Sequence, residues 1–540
     1  MTQTISQNII NAFRRAEATR RPYESVFAQL SKYYAPYRDD FIGSFPRTHS
    51  TRAAPRSDLF DTEGANAAEQ LAATICSGLI NYADPWFNIQ ALDPSLAEDV
   101  SVRRFLEQAT LIMRAAINET SANFYSVAHE FILDLVVYGN AGMYVDENTS
   151  NNSIRFSIVP CAALYFSEDH TGRVDSVFRL MKMTQRQVVT QWPDCSSELK
   201  TQAVNEPDRL ITIVHAVFDK SHTDKIVDKR KPYSSYYFPA DGEELLSSNG
   251  FMEMPYIVAR WARRAGDVYG RSPAWTALPD VKQANAIRKT LLETAERMGN
   301  PPILVSDDGV LTQVRLVPGQ PVVGGLDSIS QQPRLQPMMV GGNLPVTQQL
   351  LELTHQNIRD RFFIGSLQTY NPNVEKTATE IIEFRREETR LMGPQIGKIQ
   401  TEMLEPVLIR VRGILQRQGK FPELPEQLAG VNIRLDFTSP LSHLQQYSDI
   451  EAIQRTVQSV LPFLQIDPNL MDNFDIDRTF QHIANVNGVP AGVLRSPEEV
   501  AQLRASREQQ QQAAQMTQGL QMLGDASASF AKANSLINGS

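Results

Sequence analysis

Apolar and polar positions change their period several times along the chain, and each change marks a different kind of element. From Glu63 to Tyr82 and from Val102 to Val137, small and apolar residues recur at helical spacing, as at Phe105, Leu111, Ile112 and Ala116, then Phe131, Leu133 and Leu135. That spacing predicts packed helices. Tyr138-Gly139-Asn140-Ala141-Gly142 interrupts the pattern with residues suited to a turn. Between about 143 and 260 the texture shifts to short runs rich in β-branched and aromatic residues: Ser153–Val159, Arg173–Met183, Ile211–Phe218, Ser234–Phe238 and Tyr256–Trp261. Turns such as Asp169-His170-Thr171-Gly172 and Asp241-Gly242 separate them, so antiparallel sheet with hairpins is expected. The strands do not alternate with helical segments, which argues against a doubly wound sheet.

Helical spacing returns after Gly270. Pro279-Asp280 opens a segment with Val281, Ala284, Ile287, Leu291, Ala295 and Met298 on one side, and Gly299-Asn300-Pro301-Pro302 stops it. Residues 301–343 then read as a small β unit, with Ile303-Leu304-Val305, the turn Ser306-Asp307-Asp308-Gly309 and Val314-Arg315-Leu316-Val317. A second helix is expected from Pro345 to Phe363, with Val346, Leu350, Leu353, Ile358 and Phe362 on one side. The polar, turn-rich stretch Gly365 to Asn373 follows. Thr377-Ala378-Thr379-Glu380 is a capping box that starts another helix, reaching about Gln418. Some 40 helical residues would span roughly 60 Å. Gly393-Pro394 falls inside this helix, where a proline removes a donor and crowds the preceding turn, so a bend rather than an end is expected there, and Pro406 adds a second. Beyond the proline-rich link at 421–425, more helices run to about Val486, and the Gln-rich tail from 499 has low complexity. The fold class is α+β and helix-rich.

Composition narrows the chemistry. The 540 residues are 42% hydrophobic, enough for several domain cores. Lys+Arg number 52 against 61 Asp+Glu, a formal charge of −9, which excludes a surface that grips phosphates throughout. The first 60 residues hold nine Lys/Arg and five acids, a local +4 that fits a solvated helix face and leaves −13 for the rest. Cys76, Cys161 and Cys195 are too widely spaced for a disulfide framework or a paired-thiolate zinc site, and a reducing compartment is expected. The N-terminus lacks the features of a secretory signal. The most apolar stretch, Phe131 to Val145, is broken by Asp134, Asn140 and two glycines, and is shorter than the roughly 18 apolar residues of a membrane span. There is no Walker-type phosphate loop, no H-E-x-x-H, no G-x-S-x-G and no kinase signature. His129-Glu130 has no second histidine four residues on, and Asp307-Asp308-Gly309 reads as a hairpin turn. No catalytic residue, metal site or cofactor is expected.

Several segments carry a resemblance: Arg20-Arg21-Pro22-Tyr23-Glu24, Asp84-Pro85-Trp86-Phe87, Val137-Tyr138-Gly139-Asn140-Ala141, Tyr269-Gly270-Arg271-Ser272-Pro273 and Leu278-Pro279-Asp280-Val281. Asn300-Pro301-Pro302, Ile358-Arg359-Asp360-Arg361-Phe362-Phe363, Thr377-Ala378-Thr379-Glu380-Ile381 and Leu391-Met392-Gly393-Pro394 continue it. In this order, over residues 10 to 425, the chain resembles the portal, or head-to-tail connector, proteins of T7-like short-tailed bacteriophages. The resemblance implies a virion protein, assembled in the host bacterial cytoplasm, that forms a ring of twelve copies at one capsid vertex. Double-stranded DNA would be packaged and ejected through that ring.

The same resemblance implies an architecture. Residues 1–270 would form a mixed α/β wing, 271–300 and 344–365 two stem helices, and 301–343 a clip. Residues 366–376 would be a tunnel loop, 377–418 a long kinked wing helix, 419–498 the crown and distal wing, and 499–540 a C-terminal helical tail or barrel. Partners would be the terminase large subunit, a tail adaptor, and the major capsid and scaffold proteins, with no membrane. Gln368, Thr369, Tyr370, Asn371, Asn373 and Lys376 would approach DNA from the tunnel loop, and Lys282, Arg288, Lys289, Arg297 and Arg359 would line the stem. The two expected helices, 279–298 and 345–363, hold six Lys/Arg and five acids, a net +1, and twelve copies of the chain would carry −108. Such a surface releases few counterions and lets a duplex slide. The rival readings are another ring-forming virion protein such as a tail adaptor, which has no need of the helix–clip–helix–loop–long-helix order, and a metal-dependent phage hydrolase built on Asp307, Asp308 and a distant histidine.

Overall fold

The computed structural model describes residues 2–37, 57–82, 85–91, 100–148, 152–219, 231–242, 244–305, 344–364 and 392–425, with short stretches between 326 and 337 and between 428 and 507. Mixed helix and sheet is what it shows, as the two hydrophobic periods require. The chain divides into two compact units, Met1–Trp86 with Ile112–Phe421, and Phe87–Leu111 with Pro422–Ser540.

The first unit opens with a long helix, α1 (Thr2–Tyr34), followed by α2 (Glu63–Leu79). The apolar run 102–137 is two helices. One, labelled α3 below, is Val100–Asn118; the other, α4, is Phe124–Tyr138, and Asn123 between them takes a left-handed φ of 57°. Every residue from Phe131 to Tyr138 is buried, so the second half of α4 is core without a solvent stripe, while Ser126 and Glu130 of its first half are exposed. The Tyr138–Gly142 interruption is tighter than a loop: Gly139 caps α4 in a left-handed conformation and strand β2 (Asn140–Asn148) begins at the next residue. With β3 (Ser153–Val159) and β9 (Tyr256–Arg260) it forms an antiparallel sheet in the order β3-β2-β9.

A second antiparallel sheet runs β4 (Leu164–Glu168), β5 (Val174–Thr184), β6 (Leu210–Asp219), β7 (Tyr233–Pro239) and β8 (Ser247–Phe251) in sequence order. The expected strands are present within a residue or two. Two short helices, α5 (Gln185–Gln191) and α6 (Ser197–Asn205), and strands β4 and β8 were not anticipated. Thr184 and Gln187 form a capping box and Ser196 caps α6, polar signals that a search for strands passes over. One face of this sheet, with Phe178, Val214, Ala216, Phe218, Tyr236 and Phe238, receives Ile9, Ile10, Phe13 and Ala16 of α1.

On the other face the cross-strand row Arg179, His215 and Tyr237 is polar. His215 is fully enclosed. Its Nδ1 lies 2.5 Å from Tyr256 Oη and its Nε2 lies 2.9 Å from Ser235 Oγ, and its ring stacks on Tyr237 at 4.0 Å. Burial, helped by the Arg179 charge, pushes its pKa from the ordinary 6.5 down to about 3.

Helix α7 is Pro273–Gly299, six residues longer at its start than the periodicity implied. Ser272 caps it and Pro273 takes the first position, so Pro279 lies inside, in the second turn. Strand β10 (Ile303–Val305) pairs antiparallel with β11 (Leu335–Pro337), and residues 314–317 lie outside the described residues. Asp307 and Asp308 also lie outside them. Helix α8 is Leu344–Arg361 and packs along α7. Residues 392–399 are helical through Gly393-Pro394, so the helix does not end there, while the chain from 365 to 391, with the tunnel-loop residues and the capping box, lies outside the described residues. The irregularity that is seen is a π turn at Gln400–Leu404, where the Glu405 N–H reaches the Gln400 carbonyl, before α9 (Glu405–Arg417). Pro406 has no donor for the Glu402 carbonyl, and the wider turn relieves the crowding that a proline imposes four residues back.

In the second unit, β1 (Asn88–Ala91) pairs antiparallel with β12 (Ile433–Asp436). Thr110 of α3 accepts the Ile89 N–H at 3.2 Å, and Arg504 meets both carboxylate oxygens of Asp477. Among the described residues no helix is long and apolar enough to cross a membrane, and no cluster of His, Cys, Asp and Glu is arranged to hold a metal.

The depressed histidine makes a pH prediction. The folded chain holds His215 neutral while the unfolded chain protonates it below about 6.5, so its contribution is complete above that pH and is lost as pH falls toward about 3. Between pH 6.5 and 5, before most carboxylates titrate, urea unfolding should lose up to about 1.4 kcal/mol per pH unit to this group. The His215→Gln protein should be less stable at pH 7 yet show a flatter profile in this range, and equal slopes for the two proteins would contradict the assignment.

Candidate functional site

Two Tyr-Gly segments 131 residues apart in the chain meet back to back. A Cβ on Gly139, whose φ is +76°, would stand 2.7 Å from the Gly270 carbonyl oxygen and 2.8 Å from the Ser272 nitrogen. A Cβ on Gly270 would stand 2.6 Å from the Gly139 carbonyl oxygen. Only two glycines allow main chains this close. Asn140, fully buried, pins the contact: its Nδ2 donates to the carbonyls of Tyr138 and Gly270, at 3.1 and 3.2 Å, and its Oδ1 accepts the Gly270 N–H at 2.7 Å. Ser272 Oγ donates to the Val137 carbonyl at 2.7 Å and accepts the Trp275 N–H, so the residue that caps α7 also ties it to the last turn of α4. The Trp261 N–H donates to the Gly139 carbonyl. Helix α7 therefore leaves the sheet region in a direction set by hydrogen bonds rather than by a free loop.

The N-terminal motif closes over this joint. Arg20 is buried, donates to the carbonyls of Ala162 and Leu164 and lies over the Tyr165 ring at 4.3 Å. Tyr23 and Phe27 pack on Tyr269, at 5.3 and 6.4 Å between ring centroids, and Phe166 packs on it at 4.5 Å. Burial raises the Tyr269 hydroxyl pKa, keeping it neutral. Tyr34 donates to the Ala274 carbonyl and touches Phe362, so α1 contacts both α7 and the end of α8. Trp86 stacks on Phe124 at 5.9 Å. The separate sequence segments 20–24, 137–141 and 269–273 thus meet in one cluster, and Tyr34 links it to Phe362 of the 358–363 segment.

Residues 6–494 match the family described as bacteriophage head to tail connecting protein. The chain belongs to that family. It is 27% identical to the portal protein of Salmonella phage epsilon15, covering 98% of this chain and 96% of that one, and 25% identical to the probable portal protein of Bordetella phage BPP-1, covering 97% and 95%. The portal protein of Escherichia phage T7 is 21% identical, with 93% and 90% covered. The function of this connector is that of a phage portal, a component of the virion.

Within this connector protein the five cationic candidates on α7 and α8 fall into two groups. Lys282 donates to Gln29 of α1, Lys289 pairs with Glu293 at 3.7 Å and lies over the Phe60 ring, and Arg359 meets Glu63 at 2.6 Å and Glu352 at 3.5 Å. Arg288 and Arg297 are exposed and have no ion pair among the described residues. Arg361, not a candidate, is held by Asp280 at 2.5 Å. The net +1 of the pair is therefore spread over charges that are largely satisfied within the subunit. The apolar residues behave in the opposite way. Leu292, Val346, Leu350 and Leu353 are between 45 and 58% exposed, and the last three stand four and three residues apart on α8, a stripe with no cover in the single subunit.

The contacts that hold the 392–417 helix were not among the sequence-based expectations. Glu402, in the π turn, accepts from the Arg260 N–H at 2.8 Å and from its guanidinium at 3.0 Å; that buried guanidinium also meets Glu168 and the Gly172 carbonyl, each at 2.8 Å. Arg263 joins at Glu168, 2.6 Å away. Burial lowers the pKa of neighbouring Lys398. Two turns on, Arg410 and Arg417 share Glu253, and Gly413 between them leaves room for its carboxylate. Arg410 among the apolar positions Val407, Leu408, Val411 and Ile414, with Glu402 and Arg417 on either side, is the signal that could have found these clusters.

Substitution should separate a required glycine from a free one. Gly139→Ala meets both a left-handed φ and main-chain atoms, and should cost at least about 2 kcal/mol of unfolding free energy. Gly397→Ala, in the helix with nothing within 4 Å, should stabilise by about 0.5–1 kcal/mol. Urea titration of both proteins measures this, and a Gly139→Ala protein as stable as the parent would refute the joint.

Proposed function

We propose that the chain assembles side by side into a closed ring, twelve copies round, at one capsid vertex, and that the ring is a passive conduit for double-stranded DNA. The reading rests above all on the uncovered stripe Val346, Leu350 and Leu353 beside Leu292: a subunit that is complete alone does not leave such a stripe on paired helices, whereas a ring covers it with the next copy. On this reading α7 and α8 are the stem, residues 301–343 the clip, 366–376 the tunnel loop, 377–418 the kinked wing helix, 419–498 the crown and distal wing, and 499–540 a C-terminal tail or barrel. The clip would dock the terminase large subunit during packaging and a tail adaptor afterwards, and the wing would face capsid and scaffold proteins. Force would come from the terminase, because the chain has no phosphate-binding loop of its own. A stem with a net charge of only +1, in which Lys289, Arg359 and Arg361 are paired within the subunit, holds few phosphates, and so exerts little drag on a moving duplex.

Purified protein should image as closed rings with a central channel and turn over no ATP; a stable monomer that hydrolyses ATP would end the proposal. Leu350→Asp with Leu353→Asp should shift the mass distribution from rings to monomers, since burying two carboxylates at each interface is costly. Rings that persist would mean that the stripe faces something else.

Removing Gln368 to Asn373 tests the tunnel loop. Rings should still form, because the stem and wing lie elsewhere in the chain, while particles should retain less packaged DNA. Loss of rings with normal retention in residual particles would contradict the assignment.

A further inference from the structure

Residues 57–62, just ahead of α2, make no regular structure, yet nearly every one of them is held. Lys32 of α1 pairs with Asp58 at 2.5 Å. Asn285 of α7 uses its whole amide on the main chain here: Oδ1 accepts the Phe60 and Asp61 N–H groups at 2.7 and 3.2 Å, and Nδ2 donates to the Asp58 carbonyl at 3.3 Å. The Asp61 carboxylate, nearly buried, lies 2.9 Å from His355 Nε2 of α8 and accepts the Glu63 N–H. Glu63 then meets Arg359, one turn further along α8. Where α2 starts, Gly64 allows its first turn to press on Val281 of α7, with room for no more than a hydrogen atom. A short strap therefore grips both stem helices at one level and ties them to α1 and α2.

That level matters mechanically. The buried residues of α7 are Pro273, Ala274, Ala277, Leu278, Val281 and Ala284, and none follows. Asn285, next to the last buried residue, is thus the last point at which the helix is hydrogen-bonded to the body of the subunit, with the Lys289 side chain still over the Phe60 ring one turn on. The remaining 14 residues project about 21 Å beyond it at 1.5 Å per residue. A tilt of about 10° at the strap would move the far end by about 4 Å over such a lever. We infer that the strap is the fulcrum of the stem, and that Asn285 and His355 are positioning residues which set stem tilt and so the width of the conduit. This rests on the stem reading given above.

The test uses Asn285→Ala, His355→Leu and His355→Gln in full-length protein, the last keeping an amide donor for Asp61. Hydrogen exchange of peptides covering residues 59–63 should rise at least tenfold in Asn285→Ala and in His355→Leu, and stay near wild type in His355→Gln. Rings should form in all three. Particles carrying either of the first two should hold DNA at least threefold less often than wild type, with His355→Gln restoring the count. Unchanged exchange in both disrupting variants overturns the strap, and raised exchange with normal DNA content overturns the fulcrum while leaving the stem reading intact. Wild-type rings without a channel would instead remove the stem reading itself. If Asn285→Ala does not fold, the two His355 variants decide alone.

Discussion

The contact of Gly139 with Gly270 is the constraint from which the rest of the connector subunit follows. Two main chains touch without side chains between them, and the Asn140 amide supplies the bonds that neither glycine can make. A core helix, a strand and the first long paired helix each end or begin within three residues of one of the two glycines. Aromatic packing from Tyr23, Phe27 and Phe166 then encloses it, excluding the water that would compete for those bonds. Directional bonds at a junction and apolar mass around it give a fixed angle to helices that are otherwise exposed along much of their length.

The helix 392–417 is held by a different principle. Its apolar face alone would tolerate sliding, because Val407, Leu408, Val411, Ile414 and Leu415 present similar surfaces at similar intervals. Glu402 against Arg260 and Arg410 against Glu253 allow one register only, and buried ionic groups without their partners are costly. The π turn supplies the extra residue that brings both pairs into place together. Specificity of position, more than gain in stability, is what these charges contribute.

How much of this was legible in the sequence depended on distance along the chain. Paired helices at 273–299 and 344–361 and strands β5, β6 and β7 of the larger sheet came through because their cause is local periodicity. Asn140 did not. An asparagine between two glycines reads as a turn former, and its partner lies 130 residues on; the hint was a second Tyr-Gly pair at Tyr269-Gly270. Nothing local marks Asp58 to Asp61, because Asn285 and His355 lie more than 220 residues further along the chain. The cationic residues of the stem were legible as charges but not as pairs: Arg359 has its acid on α2, and Lys282 its acceptor on α1. The π turn hid for a further reason, since Ile399, Met403 and Val407 keep an unbroken four-residue interval across it.

The split second unit has a consequence for synthesis. Strand β1 ends at Ala91 and its partner residue is Ile433, so about 340 residues must be made between them. At 5–20 residues per second that is roughly 20–70 s during which the ribosome has released one edge and not yet the other. Through that interval the first unit can fold around the gap, while β1 waits with its hydrogen-bonding groups exposed. A strand of four residues is a poor template for pairing with a neighbouring nascent chain. Its brevity, which contributes little to the finished sheet, protects a polypeptide whose two ends must find each other late.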